Sequence, residues 1–221
     1  IFVADYMRDR ITRLDSSYTV KGVVGNVYSP RSSNGAGQAL FRDLFGVALD
    51  HSDSTDEFFY VANRNQQNGL NGFAQSYISK VCTGITITGV CPEMGRLVAV
   101  DDPGMNMSGI AVQGNYLYAM GTDKILFKYS KFNLVEVTRR DISSKVQNFN
   151  WSGADIAAVG AYVFVSNYDD REICSFNASD LSDATFNNCK NIGTRPRGMA
   201  AAGKTTASTS DDFIYIWRSC L

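Results

Sequence analysis

Gly46-Val-Ala-Leu-Asp50, Gly109-Ile-Ala-Val-Gln113, Asp155-Ile-Ala-Ala-Val159 and Gly198-Met-Ala-Ala-Ala202 repeat one short apolar strand four times. Each copy opens a unit whose later parts also match, so the chain is an array and its fold follows from the repeat. After the opening strand comes an aromatic or β-branched run: Phe58-Phe-Tyr-Val-Ala62, Tyr116-Leu-Tyr-Ala119 and Tyr162-Val-Phe-Val165. Ile1-Phe-Val-Ala-Asp5 is a further copy of that second strand. A third strand follows in Arg10-Ile-Thr-Arg-Leu14, Tyr77-Ile-Ser-Lys-Val-Cys82, Lys124-Ile-Leu-Phe-Lys-Tyr129, Glu172-Ile-Cys-Ser-Phe176 and Tyr215-Ile-Trp-Arg-Ser-Cys220. A more polar fourth strand is expected at Gly84-Ile-Thr-Ile-Thr-Gly89 and at Asn133-Leu-Val-Glu-Val-Thr138. Apolar residues alternate with polar ones in the outer strands, the period of a pleated strand with one wet face. Small residues in the first strand suit a crowded ring centre, and aromatic residues in the second suit packing between neighbouring sheets. Units of this kind are β-propeller blades. The expected fold is all-β, a propeller of four-stranded antiparallel blades, about five of them in this stretch.

The opening strands begin at residues 46, 109, 155 and 198, so successive starts lie 63, 46 and 43 residues apart. The long first step holds two excess segments: a polar loop over residues 64–76 and a Pro/Gly-containing stretch over residues 92–107. Insertions on a rigid scaffold are the first places to look for recognition. Tyr18-Thr-Val-Lys-Gly-Val-Val-Gly25, Asn34-Gly-Ala-Gly-Gln-Ala-Leu-Phe41 and Phe45-Gly-Val-Ala-Leu-Asp50, with Val3-Ala-Asp5 and Arg10-Ile11, resemble the NHL repeat of six-bladed propellers. The resemblance is closest in the first fifty residues and from Val165 to Ile173. It departs where the family's proline before the opening glycine is replaced by Leu44-Phe45 and by Met107-Ser108; Arg195-Pro-Arg-Gly198 keeps it. The copies run from a second strand at Ile1 to a third strand at Cys220, so the expectation is a single propeller domain over residues 1–221, incomplete at both ends and part of a six-bladed ring. A compact five-bladed ring is the alternative.

With 221 residues, 44% of them hydrophobic and 19% charged, the chain can bury a sizeable core. A net charge of -1 argues against sequence-independent nucleic-acid binding, which needs a strongly cationic surface. The dense basic stretch Arg8-Asp-Arg-Ile-Thr-Arg13 reads as a solvated face with local charge pairing, or else as an anion or glycan site. No apolar run approaches the roughly 20 residues that span a bilayer.

Cys82 and Cys91, and again Cys174 and Cys189, hold comparable places around third strands of two units. Adjacent antiparallel strands bring side chains within bridging distance, so disulfides Cys82 to Cys91 and Cys174 to Cys189 are expected. Buried free thiols are the alternative. Cys220 aligns with Cys82, which places its partner beyond Leu221. Zinc is disfavoured because the chain has one histidine and no Cys-x-x-Cys. Three sequons, at Asn106, Asn150 and Asn177, fall at expected loops or strand ends. Paired cysteines and sequons together point to an extracellular or cell-surface glycoprotein.

Propeller amidating lyases, which the repeat resembles, hold a metal with several histidines, and His51 alone cannot supply that set. Calcium-dependent lactonase propellers use Asp, Asn and Glu at the channel mouth, for which Asp5, Asn63, Asn167, Asp101, Asp102 and Asp155 are the candidates here. Asp5, Asn63 and Asn167 recur at one position of several units, which suggests a repeated Asx turn. No Gly-x-Ser-x-Gly elbow is present, and Asn34-Gly-Ala-Gly37 stands too far from any helix to cradle phosphate. The leading expectation is a non-catalytic propeller that presents loops to other extracellular proteins, to copies of itself in a filament, matrix or adhesion assembly, or to glycans. Arg64, Phe73 and Trp151 are its candidate contact residues. The alternative is a calcium-dependent hydrolase with a central site, so calcium is the one cofactor to test.

Overall fold

The computed structural model describes residues 1–5, 8–25, 41, 44–50, 56–63, 77–85, 89, 91, 93–146, 155–184, 189–202, 205–210 and 214–218, with side chains up to residue 200 except that of Arg197. They form two compact units, 1–106 and 107–221. Unit 1 contains a sheet of β1 (Phe2–Asp5), β2 (Arg10–Leu14) and β3 (Val20–Gly25), and a sheet of β4 (Leu44–Asp50), β5 (Phe58–Asn63), β6 (Tyr77–Cys82) and β7 (Leu97–Asp101). Unit 2 contains three sheets. The first is β8 (Met107–Gln113), β9 (Tyr116–Gly121), β10 (Ile125–Ser130) and β11 (Glu136–Asp141). The second is β12 (Ile156–Val159), β13 (Tyr162–Asn167), β14 (Glu172–Asn177) and β15 (Cys189–Asn191), and the third is β16 (Pro196–Ala202), β17 (Thr205–Ser210) and β18 (Ile214–Arg218). Every pairing is antiparallel between chain neighbours, so each sheet is an up-and-down meander.

Burial follows position in the meander. In β5 every residue from Phe59 to Asn63 is buried, because a second strand is covered on both faces. In the outer strand β11 half-buried and exposed residues alternate strictly, as one wet face requires. The core lies between sheets. Ile11 and Val24 of the first sheet meet Phe59, Val61, Val81 and Leu97 of the second in unit 1. In unit 2, Tyr118, Met120 and Leu126 meet Ile156, Val163, Val165 and Phe176.

Two turns recur with the same backbone. Asp9, Lys124 and Arg171, each just before a third strand, take left-handed φ values of 47°, 65° and 58°. Leu134 and Leu181 do so in the turn to the outer strand, where each amide donates back to the last residue of the third strand, Ser130 or Asn177. Both leucines are buried, which holds this otherwise unfavourable conformation in place.

The outer strand of the second sheet differs from the expected one. It is β7, Leu97–Asp101, whereas Gly84, Ile85 and Gly89 lie outside any strand. Gly84 and Gly89 have φ of 77° and 84°, which turns the chain away from an extended path after β6. Gly84 also has no room for a side chain, since a Cβ there would lie 3.0 Å from the Met94 backbone nitrogen. The stretch expected to be an insertion over residues 92–107 therefore contains a blade strand. Cys91 precedes that strand instead of following it, and its amide is held by Asp56 Oδ2 at 2.8 Å.

Candidate functional site

In three of the five sheets the candidate carboxylates and amides gather at the end where the second strand finishes: Asp5 at the end of β1, Asn63 at the end of β5, and Asn167 at the end of β13 with Asp155 just before β12. At this end in unit 2, Asp155 occupies the repeat position that is glycine at 46, 109 and 198. Its Oδ2 accepts the backbone N–H of Met199 in β16 at 2.8 Å, and its Oδ1 accepts that of Ile156 at 2.8 Å. Ser166 of β13 accepts the Asp155 amide through Oγ at 2.8 Å. A Cβ on Gly109 of β8 would lie 3.0 Å from Asp155 Oδ1 and 3.1 Å from the Ile156 nitrogen. The bare backbone at Gly109 is thus what leaves room for the carboxylate, and one aspartate spans three inner strands. Asp155 keeps part of its surface open, but the protein packed around it pushes its carboxyl up to about 6, against the two backbone donors that lower it.

The other candidates are committed locally. Arg8 Nη1 and Arg10 Nε donate to Asp5 Oδ2 at 3.2 Å each, and against the desolvation that would raise it they hold Asp5 below its ordinary value. Arg13 Nη1 donates to the Thr83 carbonyl at 3.4 Å, so the basic stretch is charge-paired and hydrogen-bonded within its own unit. Asn63 Nδ2 donates to Ser79 Oγ at 3.3 Å, and Asn167 Nδ2 to Asp170 Oδ2 at 2.6 Å. Asp102 Oδ1 accepts the Gly104 amide at 2.9 Å in an Asx turn, while Asp101 closes β7 opposite Ile78. Asn167 and Asp102 therefore serve as turn residues.

The structure joins Cys82 to Cys91 and Cys174 to Cys189. Cys174 and Cys189 face each other directly across β14 and β15. Among the described residues one group has metal-ligating atoms within 4.8 Å of one another, Glu172, Cys174 and Cys189, and both of its sulfurs are spent in the bridge. His51, Arg64, Phe73, Asn150, Trp151 and Cys220 lie outside the described residues.

Asn106 sits half-buried in the linker between β7 and β8, and the Ser108 hydroxyl of its sequon donates to the Met120 carbonyl at 3.1 Å. Asn177 is the last residue of β14, and its Nδ2 donates to Ser182 Oγ at 2.7 Å and to the Asp183 carbonyl at 3.1 Å. It locks the turn to the outer edge of its sheet. Asn177→Gln is expected to cost about 1–2 kcal/mol in protein made without glycosylation, a loss that a thermal melt reads directly.

Sequence reasoning passed over the cations that tie neighbouring sheets. Lys128 Nζ donates to the Ser179 carbonyl at 2.6 Å while lying 3.9 Å from the Tyr116 ring centre, and the Tyr118 hydroxyl donates to the Ala178 carbonyl at 2.9 Å. Lys80 holds the corresponding register in the second sheet, opposite Tyr60 and 4.1 Å over the Phe58 ring. Their shared place in the repeat was the available signal. Also passed over were two exposed aromatics near the tips of third-to-fourth-strand turns, Tyr18 at 74% exposure and Phe132 at 62%. Val135 and Val137 extend the apolar surface beside Phe132.

No protein-family model and no curated protein matches the chain. Among solved structures it is similar to BamB from Moraxella catarrhalis, with a TM-score of 0.58 and 13% identity over 96% of this chain and 52% of that one. It is also similar to U3-55K, with a TM-score of 0.65 and 12% identity over 98% of this chain and 57% of that one. The chain thus spans little more than half the length of either. Both are β-propeller proteins, and at this identity the likeness carries the fold alone. The chain is an all-β β-propeller of about five blades.

Proposed function

We propose that this chain is a non-catalytic propeller module, of the NHL-repeat type, that binds other proteins or glycans outside the reducing cytoplasm. The observation that carries the reading is the pair of disulfides, one in each unit, each bridging a third strand to the segment leading into or forming the outer strand. Such bridges persist in oxidising compartments. They brace the second and fourth sheets, the exposed turn aromatics Tyr18 and Phe132 stand on the first and third, and rigid aromatic anchors give contact area at low entropic cost. In this reading the chain is a secreted glycoprotein, and the inserted loop over residues 64–76, with Arg64 and Phe73, and Trp151 belong to the recognition surface. Other extracellular proteins, glycans, or further copies in a filament, matrix or adhesion assembly are its partners.

The test uses the oxidised full chain against two defined probes, itself in sedimentation and an immobilised glycan array. Saturable binding to one of them, weakened at least tenfold by Phe132→Ala, Trp151→Ala or alanine replacement through 64–76, supports the proposal. Addition of a chelator is expected to leave the melting temperature unchanged. A melting temperature that falls on chelation, together with chelator-sensitive ester or lactone hydrolysis and no binding to either probe, would overturn it in favour of the calcium-dependent hydrolase.

A further inference from the structure

We infer that Asp155 is a proton-sensitive clasp, whose carboxylate ties the start of β12 to β16 against the bare backbone of β8 and whose protonation on mild acidification stabilises unit 2. This goes beyond the binding role and does not depend on it. The geometry is that of a charge pressed between three strands, with no counter-charge among the described side chains. Two backbone amides, from Ile156 and Met199, satisfy one lone pair on each oxygen. From β8 the carboxylate meets Gly109, which offers no side chain, and the neighbouring Ser108 hydroxyl is turned to the Met120 carbonyl. From β13 it is approached by Ser166, whose hydroxyl serves the Asp155 backbone. From β16 it receives the Met199 amide. Among the described side chains no cation is paired with it. Arg197 is the cation nearest in sequence to the Met199 amide that the carboxylate accepts, so its neutralisation is the control.

The sign follows from linkage. Burial penalises the ionised form, so the folded protein holds this proton up to about pH 6, while the unfolded chain releases it near 3.8. Between those values the folded state binds more protons, and stability therefore rises as pH falls through the window. The carboxylates held low, at Asp5, Asp15, Asp141 and Asp180, act in the opposite sense but only nearer their own ordinary range, so the comparison is made above pH 5. Glu172 is also pushed up, by burial and then by Asp170, and its contribution cancels between wild type and an Asp155 variant.

The experiment is urea unfolding of the full chain from pH 5 to 7.5, for wild type, Asp155→Asn and Arg197→Gln. Relative to Asp155→Asn, the wild-type folding constant is expected to be about tenfold larger at pH 5 than at pH 7.5. Arg197→Gln is expected to keep that rise. A difference that stays flat within about twofold, or a rise that Arg197→Gln abolishes, would overturn the clasp. Should Asp155→Asn fail to fold, aspartate-labelled wild-type protein decides by carboxyl carbon resonances. One resonance with a midpoint near pH 6 supports the proposal, and none above pH 5 overturns it.

Discussion

Replacing Cys174 and Cys189 together by serine is expected to lower the stability of the chain by about 3 kcal/mol, read as a shifted urea midpoint. The bridge closes a separation of 15 residues, and on the chain-entropy model a loop of that size costs the unfolded state about this much freedom. Cys174 is fully buried in the unit 2 core beside Phe176 and Leu181, so lost packing adds to the entropic effect. Cys82→Ser with Cys91→Ser, across a separation of 9, is expected to cost slightly less. The two bridges belong to different units and share no partner, so the fourfold variant should show nearly the sum. Wild-type stability in all three variants would mean that the thiols, and not the bridges, are the native state.

Phe176→Ala is expected to cost about 3–5 kcal/mol, the largest effect of any single substitution proposed for this chain. Phe176 is completely buried on β14 among Tyr118, Ile142, Val163 and Leu181, with the Arg140 guanidinium 5.5 Å over its ring. Arg140 in turn donates to the Leu181 carbonyl at 2.7 Å and pairs with Asp183, so truncating the ring also loosens a link between β11 and the next sheet. Phe132, of the same size but 62% exposed, is the counterpart: Phe132→Ala should change stability by less than about 0.5 kcal/mol and weaken partner binding instead. Chemical denaturation of the two variants side by side checks both claims. A stability loss at Phe132 equal to that at Phe176 would remove Phe132 from the contact surface.

The repeat was legible where side chains report position. Small residues mark β4, β8 and β16, aromatic and β-branched ones mark β5, β9 and β13, and the cysteine pairing followed from strand neighbourhood. It was illegible where a strand lacks that chemistry. Thr205–Ser210 forms β17 with an all-small, mostly hydroxylated sequence that carries no aromatic marker, although a second strand belongs there. Gly84 to Gly89 alternates like a strand, but its two glycines take positive φ and the outer strand forms at Leu97 instead. At the candidate site, Asp155 was visible as a carboxylate near an inner strand. Its tie to Met199 was not, because sequence alone does not give the offset between neighbouring sheets. The cation links from Arg13 and Lys128 escaped for the same reason.

The Cys174–Cys189 disulfide fastens two strands of one sheet, whereas the described links between the sheets of unit 2 are non-covalent: Lys128 to Ser179, Tyr118 to Ala178, Arg140 to Leu181, Gln113 to Gly160 and Asp155 to Met199. Under a stretching force applied through the chain ends, the sheets of this unit should therefore part from one another before the bridged hairpin yields. The 15-residue span between Cys174 and Cys189 would stay closed and withhold up to roughly 50 Å of extension, at about 3.3–3.6 Å per residue. For a module built into a load-bearing assembly, that hidden length is a covalent limit on how far one blade can be drawn out, and a reducing agent would release it as a discrete lengthening.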